Sequence, residues 1–111
     1  MEPKDFLGLV AAVGIKLTPE LLPSIVLETD KSIAFQHPNP EAKTHIVVVP
    51  KRDSKHAADL TADDRDFLAD AYAVMGQIIR DQQMEQYRII TNGPGYQNVT
   101  YLHFHLLSKD E

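Results

Sequence analysis

The chain has 111 residues, with 16 acidic against 11 basic side chains for a formal net charge of −5. That length fits one domain, and a hydrophobic content of 43% excludes a disordered chain. There is no cysteine, which excludes disulfide scaffolds, Cys-based zinc fingers, iron–sulfur clusters and thiol catalysis. No apolar run approaches the ~20 residues of a membrane span. The opening Met-Glu-Pro-Lys-Asp is not the basic leader of a signal peptide. Lys and Arg are scattered, so nothing resembles the clustered cations of a nucleic-acid surface. The expectation is a soluble cytoplasmic protein with no membrane or nucleic-acid partner.

In chain order, residues 3 to 13 predict a short helix, with Pro3 in its first turn and Gly14 just past its end. Thr18-Pro19-Glu20 starts a brief turn that Pro23 ends. Residues 24 to 28 and 32 to 36 predict a hairpin about Thr29-Asp30-Lys31. The prolines of 37 to 43 fix a loop. Thr44 to Val49 is the strongest strand, and His45 opens it. Residues 51 to 60 read as polar connection, with Lys51-Arg52 and His56 solvated.

Thr61 is a helix N-cap with Asp64 three residues on, and the acidic start suits the helix dipole. Phe67, Ala71, Val74, Met75 and Ile78 form one apolar stripe, which predicts a helix to about Met84. Tyr87 to Thr91 predicts a strand broken by Asn92-Gly93-Pro94-Gly95. Val99 to Leu107 predicts the last strand, with Tyr101, His103 and His105 on one face and Leu102, Phe104 and Leu106 on the other. The fold class is α+β: an antiparallel sheet packed on one long helix, preceded by a short N-terminal helix.

Chemistry concentrates at Tyr101-Leu102-His103-Phe104-His105. Two imidazoles two residues apart on a strand sit ~6–7 Å apart and can reach one small ligand. The expectation leaves their face for solvent, a cleft or a partner, with His45 on the neighbouring strand. Three rings, His45, His103 and His105, suit a three-nitrogen zinc site, although no carboxylate near 103 or 105 is evident to orient them. Alternatively a histidine attacks phosphorus and forms a covalent intermediate. The loop Asn92 to Asn98 offers backbone N–H groups and amides that can cradle a phosphate.

These residues resemble the histidine triad family, in its Hint-like branch, whose signature is His-φ-His-φ-His-φ-φ with φ hydrophobic. This chain has Tyr101-Leu102-His103-Phe104-His105-Leu106-Leu107. Ala34-Phe35, Pro40, Ala42, Thr44-His45, Val49-Pro50-Lys51, Asn92, Gln97 and Val99 extend the resemblance over residues 24 to 107, within a single domain of 1 to 111 whose first 23 residues form an N-terminal extension.

The resemblance implies a HIT-like fold and a hydrolase or transferase. Its substrate is a nucleoside phosphoramidate or related conjugate of a purine nucleotide, attacked at the α-phosphorus. It places His103 as the nucleophile that becomes nucleotidylated, and His105 as the ring that contacts phosphate and helps the leaving group. His45 and Tyr101 support them. Phe35, His37, Asn92, Gln97 and Asn98 fall on nucleotide- and phosphate-binding positions. It further implies a homodimer and no obligatory metal, with zinc known at the histidines of some members.

Two departures stand out. Tyr101 replaces the first triad histidine but keeps the backbone carbonyl that orients the nucleophile. His37 replaces an aspartate that grips the ribose hydroxyls; neutral imidazole accepts one hydrogen where a carboxylate accepts two. A third difference is Asp53, where a further histidine is common. Two rival readings accompany this one: a degenerate protein that binds a nucleotide or phosphometabolite without turnover, and a zinc-binding histidine cluster.

Overall fold

The computed structural model describes residues 25–37, 40–97 and 100–109. The helix expected over 3 to 13, the turn at Thr18, and Asn98 lie outside the described residues. Five strands, β1 (Ile25–Glu28), β2 (Ser32–Gln36), β3 (Thr44–Pro50), β4 (Tyr87–Ile90) and β5 (Phe104–Ser108), form one antiparallel sheet in the order β1-β2-β3-β5-β4. One helix, α1 (Arg65–Asp81), lies between β3 and β4 in the chain. This is the α+β architecture read from the periodicities.

The hairpin turn holds itself and its neighbour. Thr29 Oγ1 accepts from the N–H groups of Lys31 and Ser32 and donates to Asp70 Oδ2 at 2.6 Å, tying β1–β2 to α1. Ala34, Ile46, Val48, Phe104 and Leu106 project from the sheet onto Ala71, Val74, Met75 and Ile78 of α1. Phe67, assigned to the same stripe, is only half-buried, and the Arg52 guanidinium lies 5.3 Å from its ring centroid. Among the described residues, no helix is long and apolar enough to cross a membrane.

The helix ends depart from expectation in instructive ways. At the start, the Thr61–Asp64 capping box forms, but the first turn is a tight 3₁₀ turn over Ala62–Asp64. At the end, α1 stops at Asp81 rather than Met84. Met84 N–H donates to the Ile79 carbonyl and Gln83 N–H to the Arg80 carbonyl, which is a Schellman closure. It forces Gln83 to a φ of 53°, a left-handed conformation usually given to glycine. Buried Met84 pays back the turn by joining the core under the sheet. Gln83→Gly is therefore expected to raise stability by about 0.5–1 kcal/mol, read as a higher Tm in a thermal melt, because Gly alone adopts that φ without Cβ strain.

β5 is shorter than predicted. The ladder begins at Phe104 rather than Val99, because the Leu102 N–H donates to the Ser54 carbonyl at 2.9 Å instead of to a neighbouring strand. The segment before β5 thus docks on the loop after β3. Lys51-Arg52 and His56 also differ from expectation. Lys51 Nζ pairs with Glu28 at 2.6 Å, and Arg52 Nε with Asp64 Oδ1 at 2.5 Å. His56 Nδ1 accepts from the Ala58 N–H and caps the turn Ala57–Asp59. These side chains have structural partners where a solvated connection was expected.

Candidate active site

Strand register sets the site. Phe35 lies opposite Val47, and Val47 opposite His105; His45 lies opposite Leu107, and the His37 N–H donates to the His45 carbonyl at 2.9 Å. Alternation then puts His37, His45 and His105 on one face, away from α1. β3 and β5 are neighbours, as the position of His45 required.

That face is not open. His45 is 4% and His103 6% exposed, with Phe35, Val47 and Val49 fully buried; only His37 and His105 are half-buried. Of the solvent, cleft or partner that the alternation left for this face, the half-buried His37 and His105 fit an enclosed cleft rather than open solvent. Tyr101 is also not aligned with the histidines. Its hydroxyl donates to the Arg52 carbonyl at 2.8 Å, because the chain at 101 lies outside the sheet.

Four rings form a continuous array. His37 stacks on His45 with centroids 4.3 Å apart and planes 15° from parallel. His45 and His105 are 5.0 Å apart, and His105 meets His103 edge-on at 4.9 Å. The hydrogen bonds then place the protons. Glu41 N–H donates to His45 Nδ1 at 3.1 Å, so that nitrogen presents a lone pair. In neutral His45 the proton must sit on Nε2, which lies 2.8 Å from His105 Nδ1 and donates to it. His105 in turn carries its proton on Nε2. Both rings stay neutral at pH 7. Burial, reinforced by His37, lowers His45 from 6.5 to about 4. Burial, with His103, His45 and His37 adding to it and Glu41 opposing, lowers His105 to about 4.

His103 is held separately. Its Nδ1–H donates to the Tyr101 carbonyl at 2.6 Å, and its own carbonyl accepts from Thr91 Oγ1 at 2.9 Å. A ring protonated at Nδ1 offers its Nε2 lone pair as a nucleophile. The arrangement therefore presents a nucleophilic nitrogen on His103 beside an N–H donor on His105, which suits attack on an electrophilic phosphorus with a hydrogen bond to the oxygens or leaving group around it.

Other site residues divide. Phe35 is fully buried, so it is a floor under the row of Val47 and His105. Gln97 Nε2 donates to the Lys55 carbonyl at 2.7 Å and fastens the loop before the triad to the loop after β3. Asn92 is half-buried at the end of β4. Sequence reasoning missed Glu41, Thr91 and Arg52. Only the proximity of Glu41 to His45 is a local signal; the others act through backbone atoms distant in the chain.

The donor set was tested against zinc. His37, His45 and His105 bring ligand atoms within 4.8 Å of one another, so the set contains His37 where His103 was expected. His103 Nδ1 is committed to Tyr101. The distances suit a metal, but the protons do not. A metal on His45 Nε2 drives that proton to Nδ1, against the Glu41 N–H. The cluster as hydrogen-bonded does not offer three free lone pairs.

A five-stranded antiparallel sheet on a long helix, with a carbonyl-oriented histidine beside a second imidazole, defines an α+β protein built around a histidine cluster. Residues 17–111 match the family model described as scavenger mRNA decapping enzyme C-term binding. A HIT-like protein of Synechococcus elongatus is 35% identical over 91 residues, covering 79% of this chain and 80% of that protein. The chain belongs to the histidine triad family.

The adenosine 5′-monophosphoramidase HNT1 of Saccharomyces cerevisiae is 29% identical over 102 residues, and the match covers 89% of this chain. The chain spans only 63% of that relative's length. A 14 kDa zinc-binding protein of Zea mays is 34% identical over 98 residues, covering 83% of this chain and 77% of that protein. Among solved structures, a histidine triad protein from Clostridium difficile superposes with a TM-score of 0.78 at 29% identity, covering 100% of this chain and 96% of that one. A HIT family hydrolase from Legionella pneumophila gives 0.76 at 27%, covering 95% and 93%.

Proposed function

We propose that the chain hydrolyses or transfers a nucleoside monophosphoryl group from a phosphoramidate or related conjugate of a purine nucleotide. His103 Nε2 attacks the α-phosphorus while its Nδ1–H stays on the Tyr101 carbonyl, which supports the positive charge growing on the ring. The bond to the leaving group breaks; the neutral His105 Nε2–H donates a hydrogen bond that steadies the phosphoryl oxygens and the departing group, and solvent supplies the proton that group needs. Water then attacks the nucleotidyl-histidine and releases the nucleoside monophosphate, its proton passing to solvent and the P–N bond electrons returning to His103 Nε2.

The observation that carries this reading is the fixed tautomer pair: a bare Nε2 on His103 next to a protonated Nε2 on His105. The monophosphoramidase relative and the hydrolase neighbour support the reaction class. In this reading the protein is a homodimer, for which the sheet edge at β4 is an available pairing surface.

The test is a covalent adduct. Chelator-treated protein, acid-quenched during turnover of adenosine phosphoramidate, is expected to carry one AMP on the peptide containing His103, seen by mass spectrometry. Zinc is not part of the reaction, so removing metal leaves the adduct yield unchanged.

A second reading, a binding protein without turnover, is favoured by His37, whose ring stacks on His45. Nucleotide binding measured by calorimetry without any adduct would select it.

A further inference from the structure

We infer that Tyr101 is a positioning residue whose hydroxyl, anchored on the loop after β3, holds the carbonyl that orients His103. The inference deepens the proposed mechanism and rests on it for its kinetic consequences only. Residue 101 is attached at both ends. Its hydroxyl donates to the Arg52 carbonyl at 2.8 Å, and its own carbonyl accepts from His103 Nδ1 at 2.6 Å. The side chain is 7% exposed, so water does not compete freely for the hydroxyl. The Leu102 N–H donates to the Ser54 carbonyl at 2.9 Å, adding a second fastening to the same loop.

The loop is itself held. Arg52 Nε bonds to Asp64 Oδ1, and the guanidinium lies over Phe67. Asp64 is buried and completes the capping box with Thr61 at the foot of α1. A path of contacts thus runs from the helix start through Asp64, Arg52 and Tyr101 to the ring of His103.

The Tyr101 hydroxyl is directed at the Arg52 carbonyl, while the His45 nitrogens pair elsewhere. His45 has both nitrogens occupied, one by the Glu41 N–H and one by His105. A histidine at 101 is shorter than tyrosine and carries its donor at another position. The phenol reaches a carbonyl beyond the cluster and substitutes a backbone anchor for a ring partner. The Tyr101 substitution is therefore a different way of holding the nucleophile, not the loss of a catalytic group.

The test is Tyr101→Phe, which keeps the ring and removes only the donor. Nitrogen-detected NMR of the resting protein is expected to show His103 as a single Nδ1–H tautomer in wild type and as an averaging mixture in the variant. Turnover of adenosine phosphoramidate is expected to fall roughly tenfold in kcat with KM changed less than about twofold, the signature of a misaligned nucleophile. Replacing Tyr101 with 4-aminophenylalanine restores an N–H donor and is expected to recover both signals.

A double variant with Asp64→Asn is expected to lose no more than the weaker single variant, because both act along one path. An unchanged tautomer in Tyr101→Phe overturns the inference, as does full additivity with Asp64→Asn. If wild type turns over no phosphoramidate, the proposed function fails, while the NMR of resting protein still decides the role of Tyr101.

Discussion

Replacing His103 with Ala is expected to reduce phosphoramidate turnover by roughly 10³-fold or more while the protein stays folded. The effect is large because the lone pair on Nε2 is the bond-forming group, and no second residue among those described is held in the same way. His105 is neutral with its Nδ1 occupied by His45, so it serves as a hydrogen-bond donor rather than as a nucleophile. His105→Gln keeps an N–H donor but displaces it from the ring's position, and is expected to cost less than His103→Ala, roughly 10²-fold. Parallel kcat measurements with circular dichroism at matched temperature check both. Equal losses in the two variants would mean that the rings share one role.

The second large effect is on stability against pH. His45 and His105 are held near 4 in the folded chain and return to 6.5 when it unfolds. Between these values the unfolded state binds more protons than the native state. The sign of the linkage then makes stability rise with pH across the interval, so it is lost as pH falls from about 6.5 towards 4. Tm is expected to drop steeply over that range.

His105→Gln removes one of the two groups and is expected to flatten the slope, whereas His56→Gln, outside the cluster, leaves it intact. Asp64 acts in a different window. Its carboxylate is held below its ordinary value chiefly by the Thr61 N–H and then by Arg52, and its contribution disappears only as pH falls through that lower value. A Tm profile flat between pH 6.5 and 4 would contradict neutral burial of the pair.

The same protonation logic links the site to the fold. The rings whose neutral tautomers aim the His105 N–H are those whose burial makes the fold acid-sensitive. Stability is spent on keeping a tautomer, which is a common bargain where reactive groups are enclosed. The His37 ring contributes to this electrostatically, since it lowers both neighbours.

Local patterns were legible from the residues themselves. The alternation in Thr44 to Val49, the stripe through Ala71, Val74, Met75 and Ile78, and the Thr61–Asp64 box each involve partners within a few residues of one another. β3 and the capping box formed as read, and α1 formed where its stripe put it, though it ends at Asp81 rather than Met84. The pairing of His103 with His105 was equally local, being two steps along one chain. The use of the Tyr101 carbonyl by His103 also spans two residues, but it was implied by the family resemblance and not by any pattern in the residues.

The failures have one physical origin. Gln83 carries no composition signal for a left-handed turn; the buried Met84 and the Schellman bonds impose it. Strand alternation put the histidines on one face but left solvent, cleft and partner open, because exposure depends on what covers a sheet, which periodicity does not contain. The Tyr101 hydroxyl reaches Arg52 across 49 residues, and His45 reaches His105 across 60.

Sequence by itself therefore determined the fold class, the helix start, the strand carrying His45 and the pair of nitrogens available for chemistry. Tertiary structure alone decided which nitrogen holds each proton, how the nucleophile is anchored, and that the imidazoles are enclosed. Propensity and periodicity act over one or two turns of chain, whereas hydrogen-bond direction and desolvation are set by groups that only folding brings within about 3 Å.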